Sequence, residues 1–166
     1  MEILAPSVHD LEQHHAAEEL IRLYRYWLDK CGDRLMPARA DINPLEFAFA
    51  IGRVSLVDVV PGPRRFRYRL VSTAITNRLG YEMTNKFTSD IPDDDTRRYV
   101  EELYGRVIDV RTPLFEKSTR TFDGKTWQHE ALAMPLSADG QTIEMIMIYR
   151  WTFAPAPVPR WAQIQS

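Results

Sequence analysis

The histidines are the side chains of this sequence best suited to metal binding or proton transfer. His9, His14 and His15 lie close to the N-terminus, and His129 lies in the last third of the chain. His14 and Glu18 stand four residues apart, which would place both on one helix face within reach of a shared metal ion. A solvated first helical turn explains that spacing more simply, and a hydrogen-bonded or exposed strand histidine explains His129. We therefore predict no metal site.

No nucleophile or cofactor motif points to catalysis. The sequence lacks the G-x-S-x-G, H-E-x-x-H, paired C-x-x-C, P-loop and G-x-G-x-x-G patterns. Cys31, the single cysteine, falls on an apolar helix stripe and is interpreted as a small buried hydrophobe. Asp93, Asp94 and Asp95 are adjacent acids, but negative charge is typical of the first turn of a helix. We predict no catalytic residue and expect that the protein is not an enzyme.

The densest group of positive charge lies in residues 64–69. It consists of Arg64, Arg65, Arg67 and Arg69, interleaved with Phe66 and Tyr68. RNA binding through this strand is one alternative function, because exposed aromatic rings between arginines stack on bases. Strand alternation instead places both rings on the core side and leaves Arg67 and Arg69 on a solvated face that pairs with acids. Nucleic-acid binding is therefore not the function that the pattern favours.

The stretch PARADINP, residues 37–44, is predicted to be a stiff connector between two helices. Pro37 prevents the first helix from continuing, and Asn43 followed by Pro44 is typical of an N-cap and first helical position. Arg39 and Asp41 are expected to pair with each other or with neighbouring backbone. The connector contains no nucleophile, general base or metal set, so we predict a role in holding an angle.

Length and composition fit one compact domain. The chain has 166 residues, 45% of them apolar, and a formal net charge of −2, a balance that argues against a dedicated nucleic-acid binder. No apolar run is long enough to cross a bilayer, and no secretory signal pattern occurs. A single cysteine permits no internal disulfide. We expect a cytoplasmic protein without a membrane partner.

An amphipathic helix over residues 14–31 is the first element that the pattern predicts. Apolar residues recur there at spacings of three and four and form a wide stripe. The stripe is wider than a terminal helix needs, so we predict a homodimer interface formed by Leu20, Leu23, Tyr24, Trp27 and Leu28. Residues 1–13 are expected to be a flexible N-terminus, and the helix with its connector occupies residues 14–35.

Five strands and a central group of helices follow. β-branched runs and alternation predict strands over residues 54–60, 66–71, 114–122, 127–136 and 142–153. Helices over residues 73–80 and from Asp93 onward separate the second strand from the third. The predicted fold class is α+β, a five-stranded antiparallel sheet with helices on one face and an extra N-terminal amphipathic helix. Hairpin turns are expected at Asp123-Gly124 and Asp139-Gly140.

This order of elements resembles the PAS domain family, in particular a compact branch in which the domain forms nearly the whole chain. The likeness rests on the order β-β-α-α-α-β-β-β and on the stretches LMPARADINP, FRYRLVSTAITNRLGYEMTNK and MPLSADGQTI. It covers about residues 20–153. It implies a PAS-like core over residues 36–153, followed by a proline-rich tail over residues 154–166. Ser72 and Asn85 stand where the family pattern has glycine, and asparagine tolerates the left-handed backbone that such a glycine permits.

The resemblance implies a stand-alone sensory or interaction module with a pocket between the inner sheet face and the helices of residues 73–110. The residues expected to line it are Phe66, Tyr68, Leu70, Tyr104, Val107, Leu132, Met134, Met145 and Met147. The ligand would be small and apolar, although flexible methionines could equally fill a closed core. Some family members carry haem, for which His129 could be a ligand, or flavin beside a cysteine, a use that we discount for Cys31 because it precedes the sheet; the cofactor is left open. A ligand would signal through the dimer or through an unidentified protein partner.

An enzyme or carrier of the NTF2-like cone class is a further alternative. That class also pairs a curved sheet with helices over a small-molecule cavity, but it places its long helices before most of the sheet. Here two strands precede the central helices, and Asp58 is the only acid within the first strand. We interpret Asp58 as a residue at the strand edge or pointing outward.

Overall fold

The computed structural model describes residues 2–122 and 125–153. Its α-helices are α1 (Val8–Gln13), α2 (Glu18–Cys31), α3 (Thr73–Leu79) and α4 (Asp94–Val110). Its strands are β1 (Glu2–Leu4), β2 (Val54–Val59), β3 (Phe66–Leu70), β4 (Leu114–Phe122), β5 (Lys125–Leu136) and β6 (Met145–Phe153). Short 3-10 helices span Arg39–Asp41, Pro44–Arg53 and Thr88–Asp90. The predicted Asp123-Gly124 turn and the proline-rich tail lie outside the described residues.

The strands form one antiparallel sheet in the order β1-β4-β5-β6-β2-β3. The predicted α+β fold and its five antiparallel strands are confirmed, and β1 adds a sixth strand at one edge. β5 and β6 lie in the interior of the sheet and are covered on both sides, as the apolar character of both faces of the last strand indicated. Among the described residues, no helix has the length and apolar character needed to cross a membrane.

The strand register divides the sheet into two faces, which we call the α4 face and the α2 face after the helices that cover them. Residues paired across antiparallel strands point to the same side, and neighbours along a strand alternate. The α4 face carries Val57, Tyr68, Ala131, Ala133, Ile146 and Ile148, whereas the α2 face carries Leu56, Phe115, Leu132, Met134, Met147 and Tyr149. Both faces are therefore occupied within one chain.

The N-terminal segment has regular structure where the sequence predicted a flexible stretch over residues 1–13. β1 pairs with β4, and α1 is closed by a capping box in which the Ser7 and Asp10 side chains bond to each other's backbone N–H. The Tyr24 hydroxyl donates a hydrogen bond to the Pro6 carbonyl at 2.7 Å. His15 has a left-handed backbone, with φ of 51°, and separates α1 from α2, so the amphipathic helix begins at Glu18 and not at His14.

The stripe of α2 is buried against the sheet of its own chain. Leu20, Leu23, Tyr24 and Trp27 are each at most 5% exposed, whereas Leu28 is 39% exposed. The indole Nε1 of Trp27 donates to the Pro135 carbonyl at 3.1 Å, which fixes the helix to the end of β5. Four of the five residues predicted to form the dimer interface are thus occupied by intramolecular packing, because the helix covers a sheet face that would otherwise be exposed.

The PARADINP connector joins α2 to the second helix as predicted. Asp41 Oδ2 accepts from the Ala38 N–H at 2.8 Å and forms an ion pair with Arg34 at 2.9 Å, while the Arg39 guanidinium donates to the Ile42 carbonyl at 3.0 Å. Both side chains thus bond neighbouring backbone. Asn43 caps the following helix through Leu45 N–H, and that helix is of the 3-10 type with a kink at Phe47.

The two positions that depart from the family's glycine pattern are accommodated differently. Ser72 has φ of −65°, so no left-handed backbone is needed there, and its side chain caps α3 through the Ile75 N–H. Asn85 adopts φ of 65°, the left-handed conformation that asparagine tolerates. Gly140 has φ of 73°, in agreement with the turn predicted between β5 and β6.

Candidate functional site

The structure separates the predicted pocket-lining residues onto opposite sides of the sheet. Phe66 and Tyr68 meet Tyr104 and Val107 of α4 on the α4 face. The four remaining strand residues of the core set lie on the α2 face: Leu132, Met134, Met145 and Met147. Leu70 ends β3 beside a register shift and is 38% exposed. These nine residues therefore do not line one cavity, since they lie on opposite sides of the sheet. The sequence could not separate them because β5 and β6 are apolar on both sides.

Two tyrosines form the centre of the interface between α4 and the sheet. The hydroxyls of Tyr68 and Tyr104 lie 3.4 Å apart, and the Phe66 ring meets the Tyr104 ring edge to face at 5.4 Å. Burial raises the pKa of Tyr68 and raises that of Tyr104 well above its usual value, while the positive charge of Arg150 opposes both shifts. Both phenols are therefore neutral donors at physiological pH.

Polar residues occupy two adjacent cross-strand rows of the α4 face. One row runs from Glu116 in β4 through Ala131 in β5 to Arg150 in β6. The next row consists of Ser118, His129 and Thr152. Because paired residues point to the same side, these side chains project together toward α4. A polar patch within an otherwise apolar interface costs free energy unless its groups find partners.

Tyr99 of α4 is the residue that covers this patch. Its hydroxyl donates a hydrogen bond to Oε2 of Glu116, which is fully buried. Its ring contacts the ring of His129 edge to face at 6.3 Å, and the Arg150 guanidinium carbon lies 5.2 Å from its centroid. His129 Nδ1 is also 3.2 Å from the Thr152 hydroxyl. The patch is thus a connected network of an acid, a histidine, an arginine and a phenol.

Some polar atoms of the patch have no hydrogen-bond partner among the described residues. These are the Ser118 hydroxyl and the Nε and Nη2 atoms of Arg150, all of them buried atoms. Buried donors without partners are rare in folded proteins and call for a physical explanation. Sequence reasoning missed Tyr99, Glu116, Ser118 and Arg150, and the only available signal was the polar alternation within β4 and at the end of β6.

A second polar group lies between α1, α2 and the opposite face of the sheet. Glu130 is 1% exposed, its Oε2 accepts from the Ala17 N–H at 3.1 Å, and Lys117 Nζ lies 3.6 Å from its Oε1. Lys117 Nζ also donates to the His14 carbonyl at 2.9 Å. Burial raises the pKa of Glu130, and the Ala17 N–H and Lys117 oppose that shift. In contrast to Arg150, this charged pair has its partners, and it binds α2 to the sheet.

The arginine cluster is arranged as the alternation predicted. Phe66 and Tyr68 are buried, while Arg67 and Arg69 both pair with Asp58 at 3.1 Å. Arg64 forms an ion pair with Asp90. Asp58 was expected to be at a strand edge or outward-pointing, but its side chain is only 10% exposed because these two arginines cover it. The arginines serve to neutralise acids, and the rings that RNA stacking would need are in the core.

The residues discussed for haem and flavin do not fit either group. His129 is 5% exposed, its Nδ1 is 3.2 Å from the Thr152 hydroxyl, and its ring meets that of Tyr99, so it is buried within the polar patch. Cys31 donates to the Trp27 carbonyl within α2, on the opposite side of the sheet from α4, and burial raises its pKa to about 11. In the described part of the chain, no three or more metal-ligating side chains form a group that could hold an ion.

A small cleft opens between the middle of α4 and the β2–β3 turn. It has a volume of about 230 Å³ and is lined by Pro63, Arg65, Phe66 and Glu101. The Arg65 guanidinium lies over the Phe66 ring at 5.3 Å. The cleft is smaller than the 300–1,000 Å³ typical of drug-sized ligands. Through Phe66 it borders the same interface between α4 and the sheet that contains the polar patch.

A family model described as "PAS domain" matches residues 13–149 of the chain. This range includes every element from α2 through β5 and the part of β6 up to Tyr149, and it leaves out β1 and nearly all of α1. From β2 to β6 the chain has two strands, the central helices and three strands, which is the order of elements that the resemblance to this family implied. No curated protein matches the chain.

The solved structures similar to the chain come from different sources. The PAS domain of Bordetella pertussis BvgS is 20% identical over 73% of this chain and 91% of that one, with a TM-score of 0.49. A domain of an HTR-like protein from Haloarcula marismortui is 11% identical over 61% of this chain and 99% of that one, with a TM-score of 0.42. A light-oxygen-voltage domain studied with a flavin analogue is 10% identical over 72% and 87% of the two chains, with a TM-score of 0.45.

Proposed function

The chain belongs to the PAS domain family, and from this premise we propose that it is a sensory module that binds a small molecule between α4 and the α4 face of the sheet. The observation that carries the proposal is the polar patch around Glu116, His129 and Arg150, buried beneath Tyr99. A core with only a structural role would be more stable with apolar side chains at these positions, since burying charged groups costs free energy that a buried pair at best offsets. A few convergent polar groups among aromatic residues are typical of ligand sites.

The ligand's body would rest on the aromatic half of the same interface. Phe66, Tyr68 and Tyr104 form a continuous group of rings next to Arg150. Tyr and Phe supply large apolar contact area, and neutral phenols can also donate hydrogen bonds. The arrangement suits a small molecule with an apolar portion and one polar end, which refines the apolar ligand predicted from the sequence.

The signal would travel across the sheet to α2. Neighbouring residues of β5 point to opposite sides of the sheet. Ala131 lies within the polar patch, while Glu130 accepts a hydrogen bond from the N–H of Ala17 at the start of α2. Trp27 is bonded to the same strand at Pro135. A ligand that fits one arrangement of β5 better than another would change how firmly α2 is held, and this difference in affinity is all that a switch requires.

The output would be a change in contacts with a protein partner or with a second copy of the chain. Of the predicted interface residues, Leu28 remains exposed, and the segments after α2 add Leu35 in the following turn at 74% and Leu45 in the 3-10 helix at 85% exposure. These apolar side chains on the α2 side would gain or lose contacts when α2 moves. The family's general role is sensory and not enzymatic, and we propose no reaction for the site.

Native mass spectrometry, an absorbance spectrum and sedimentation of the purified full chain test the proposal. We expect a small molecule that is released on unfolding, together with a sedimentation coefficient that differs between the loaded and the ligand-free protein. A matched comparison uses Glu116→Gln in the patch and Glu82→Gln on the surface, of which only the first should alter ligand retention. A chain that is purified empty and shows no thermal shift with any of a broad set of small molecules would contradict ligand sensing.

A further inference from the structure

We propose that the polar end of the ligand is a carboxylate that binds the guanidinium of Arg150, an inference that rests on the ligand site proposed above. The observation behind it is the state of Arg150 itself. Its Nε and Nη2 atoms are buried and have no hydrogen-bond acceptor, and among the described residues no acid lies within ion-pair distance of it. An arginine offers a planar fork of donors that matches the two oxygens of a carboxylate.

The other partly buried arginines of the sheet and its surroundings show that this state is unusual for the molecule. Arg53 is bound by both carboxylate oxygens of Glu19 at 3.1 Å and also lies over the Trp151 ring. Arg67 and Arg69 share Asp58, so Arg67 has a carboxylate partner although its Nε, like that of Arg150, is buried without a hydrogen-bond acceptor among the described residues. Arg111 donates to the carbonyls of Gly140 and Gln141. Arg150 instead lies on the α4 face without an acid partner among the described residues, and its guanidinium carbon is 5.2 Å from the centroid of the Tyr99 ring.

Glu116 is the acid in the same row, but it forms no ion pair with Arg150 and is bound by Tyr99 instead. The two residues are separated by the intervening strand, with Ala131 between them, so their Cα atoms are roughly 10 Å apart across two strand spacings. Oε2 of Glu116 is already bound by the Tyr99 hydroxyl. Ala131 lies between the two charged residues in this row and contributes only a methyl group, so a small ligand group would meet no large side chain from the intervening strand.

The same neighbourhood favours a single negative charge over a doubly charged phosphate. Arg150 supplies one positive charge, and the buried carboxyl of Glu116 in the same row would repel a dianion. The unpartnered Ser118 hydroxyl in the adjacent row can donate one further hydrogen bond. One cation, one hydroxyl and an apolar aromatic wall together describe a small monocarboxylic acid with an apolar body.

The test compares benzoate and hexanoate with benzamide, which is a neutral analogue of benzoate of nearly the same shape. Thermal shift and the Arg150 Nε–H resonance are measured on the full chain. We expect both carboxylates to raise the melting temperature and move that resonance, and benzamide to do neither. Arg150→Met should raise the dissociation constant for benzoate at least tenfold, and Arg150→Lys, which keeps the charge without the fork, should raise it also. Arg98→Met, at an arginine that is 75% exposed, is the matched control and should bind as the unaltered protein does.

Each other outcome overturns the carboxylate proposal. Equal shifts with benzamide, or unchanged benzoate affinity in Arg150→Met, would mean that the site recognises the apolar body alone. An Nε–H resonance that no carboxylate moves would mean that Arg150 is satisfied by water. If Arg150→Met does not fold, the resonance of the unaltered protein decides the question. A neutral molecule released from the purified protein would disprove the carboxylate and leave the sensory function standing, whereas an empty protein without any shift would contradict both.

Discussion

The two faces of the sheet use buried charge in opposite ways. On the α2 face, Glu130 and Lys117 bond to each other and to the backbone of the N-terminal helices. On the α4 face, Glu116 is held by Tyr99, while two buried nitrogen atoms of Arg150 lack acceptors among the described residues. A polar network in which every group has a partner holds two elements together, whereas a network with donors that lack acceptors can still form hydrogen bonds with a ligand. The first face therefore has the contacts of an attachment site, and the second is the face for which we propose ligand recognition.

The largest effect is expected from removing the main anchor of the α2 face. Trp27→Ala should lower the free energy of unfolding by about 4 kcal/mol, because it empties a fully packed site and removes the bond to Pro135. Urea titration measures this change in the free energy of unfolding. Leu28→Ala, one residue along the same helix but 39% exposed, is the control and should cost less than about 1 kcal/mol. Similar losses for both variants would mean that α2 does not pack as described.

The next effect concerns the charged pair of the same face. Lys117→Met removes the partner of a carboxylate that is 1% exposed and should lower the free energy of unfolding by about 2 kcal/mol at neutral pH. Lys117 is itself 31% exposed at the side chain, which keeps the cost below that of a fully buried pair. The exposed Lys86→Met is the control in the same denaturation experiment. An unchanged stability in Lys117→Met would show that the pair does not fasten α2.

The pH dependence of Glu130 has a defined sign. Because burial raises its pKa in the folded protein above the ordinary value of 4.5, the folded state binds the proton more tightly than the unfolded state does. The contribution of Glu130 to stability is therefore greatest below the ordinary pKa and is lost as the pH rises through the raised pKa. Measured by urea titration at several pH values, the stability of the unaltered protein relative to Glu130→Gln should increase on acidification from pH 7. A constant or decreasing difference would contradict the assignment.

On the α4 face the same kind of charge removal should have the opposite sign. In the absence of ligand, Arg150→Met replaces buried donors without acceptors by an apolar side chain of similar length, and should raise the free energy of unfolding by about 1 kcal/mol. Urea denaturation of the ligand-free protein measures this gain in the free energy of unfolding. A loss of stability as large as that of Lys117→Met would show that the two faces do not differ and would remove the basis of the comparison.

The smallest effect is expected at the connector between α2 and the sheet. Asp41→Ala removes the bond to the Ala38 N–H and the ion pair with Arg34, so the attachment of α2 loosens and the melting temperature falls slightly. Asp33→Ala, an exposed acid in the preceding loop, is the control. An unchanged melting temperature and an unchanged self-association in Asp41→Ala would contradict a transmitting role for the connector.

Local patterns were sufficient for the elements and insufficient for the site. Alternation in Phe66 and Tyr68 and the three- and four-residue spacing in α2 each report one buried face, so strands and helices could be predicted with their buried sides. β5 and β6 are apolar on both sides, and the methionines of β6 were consequently assigned to the α4 face although the register places them on the α2 face. The polar patch combines α4 with three strands, and no single segment contains its pattern.

The sequence by itself determined the order of elements from α2 onward, the family and the absence of familiar catalytic motifs, because each of these depends on spacing along the chain, whereas β1 and α1 were not predicted. Only the tertiary structure decided which side of each strand meets α2 and which meets α4, because antiparallel register is set by contacts between residues far apart in sequence. The same register brings Glu116 and Arg150 into one row with Ala131 between them. The proposed ligand site therefore exists only after β4, β5 and β6 have paired.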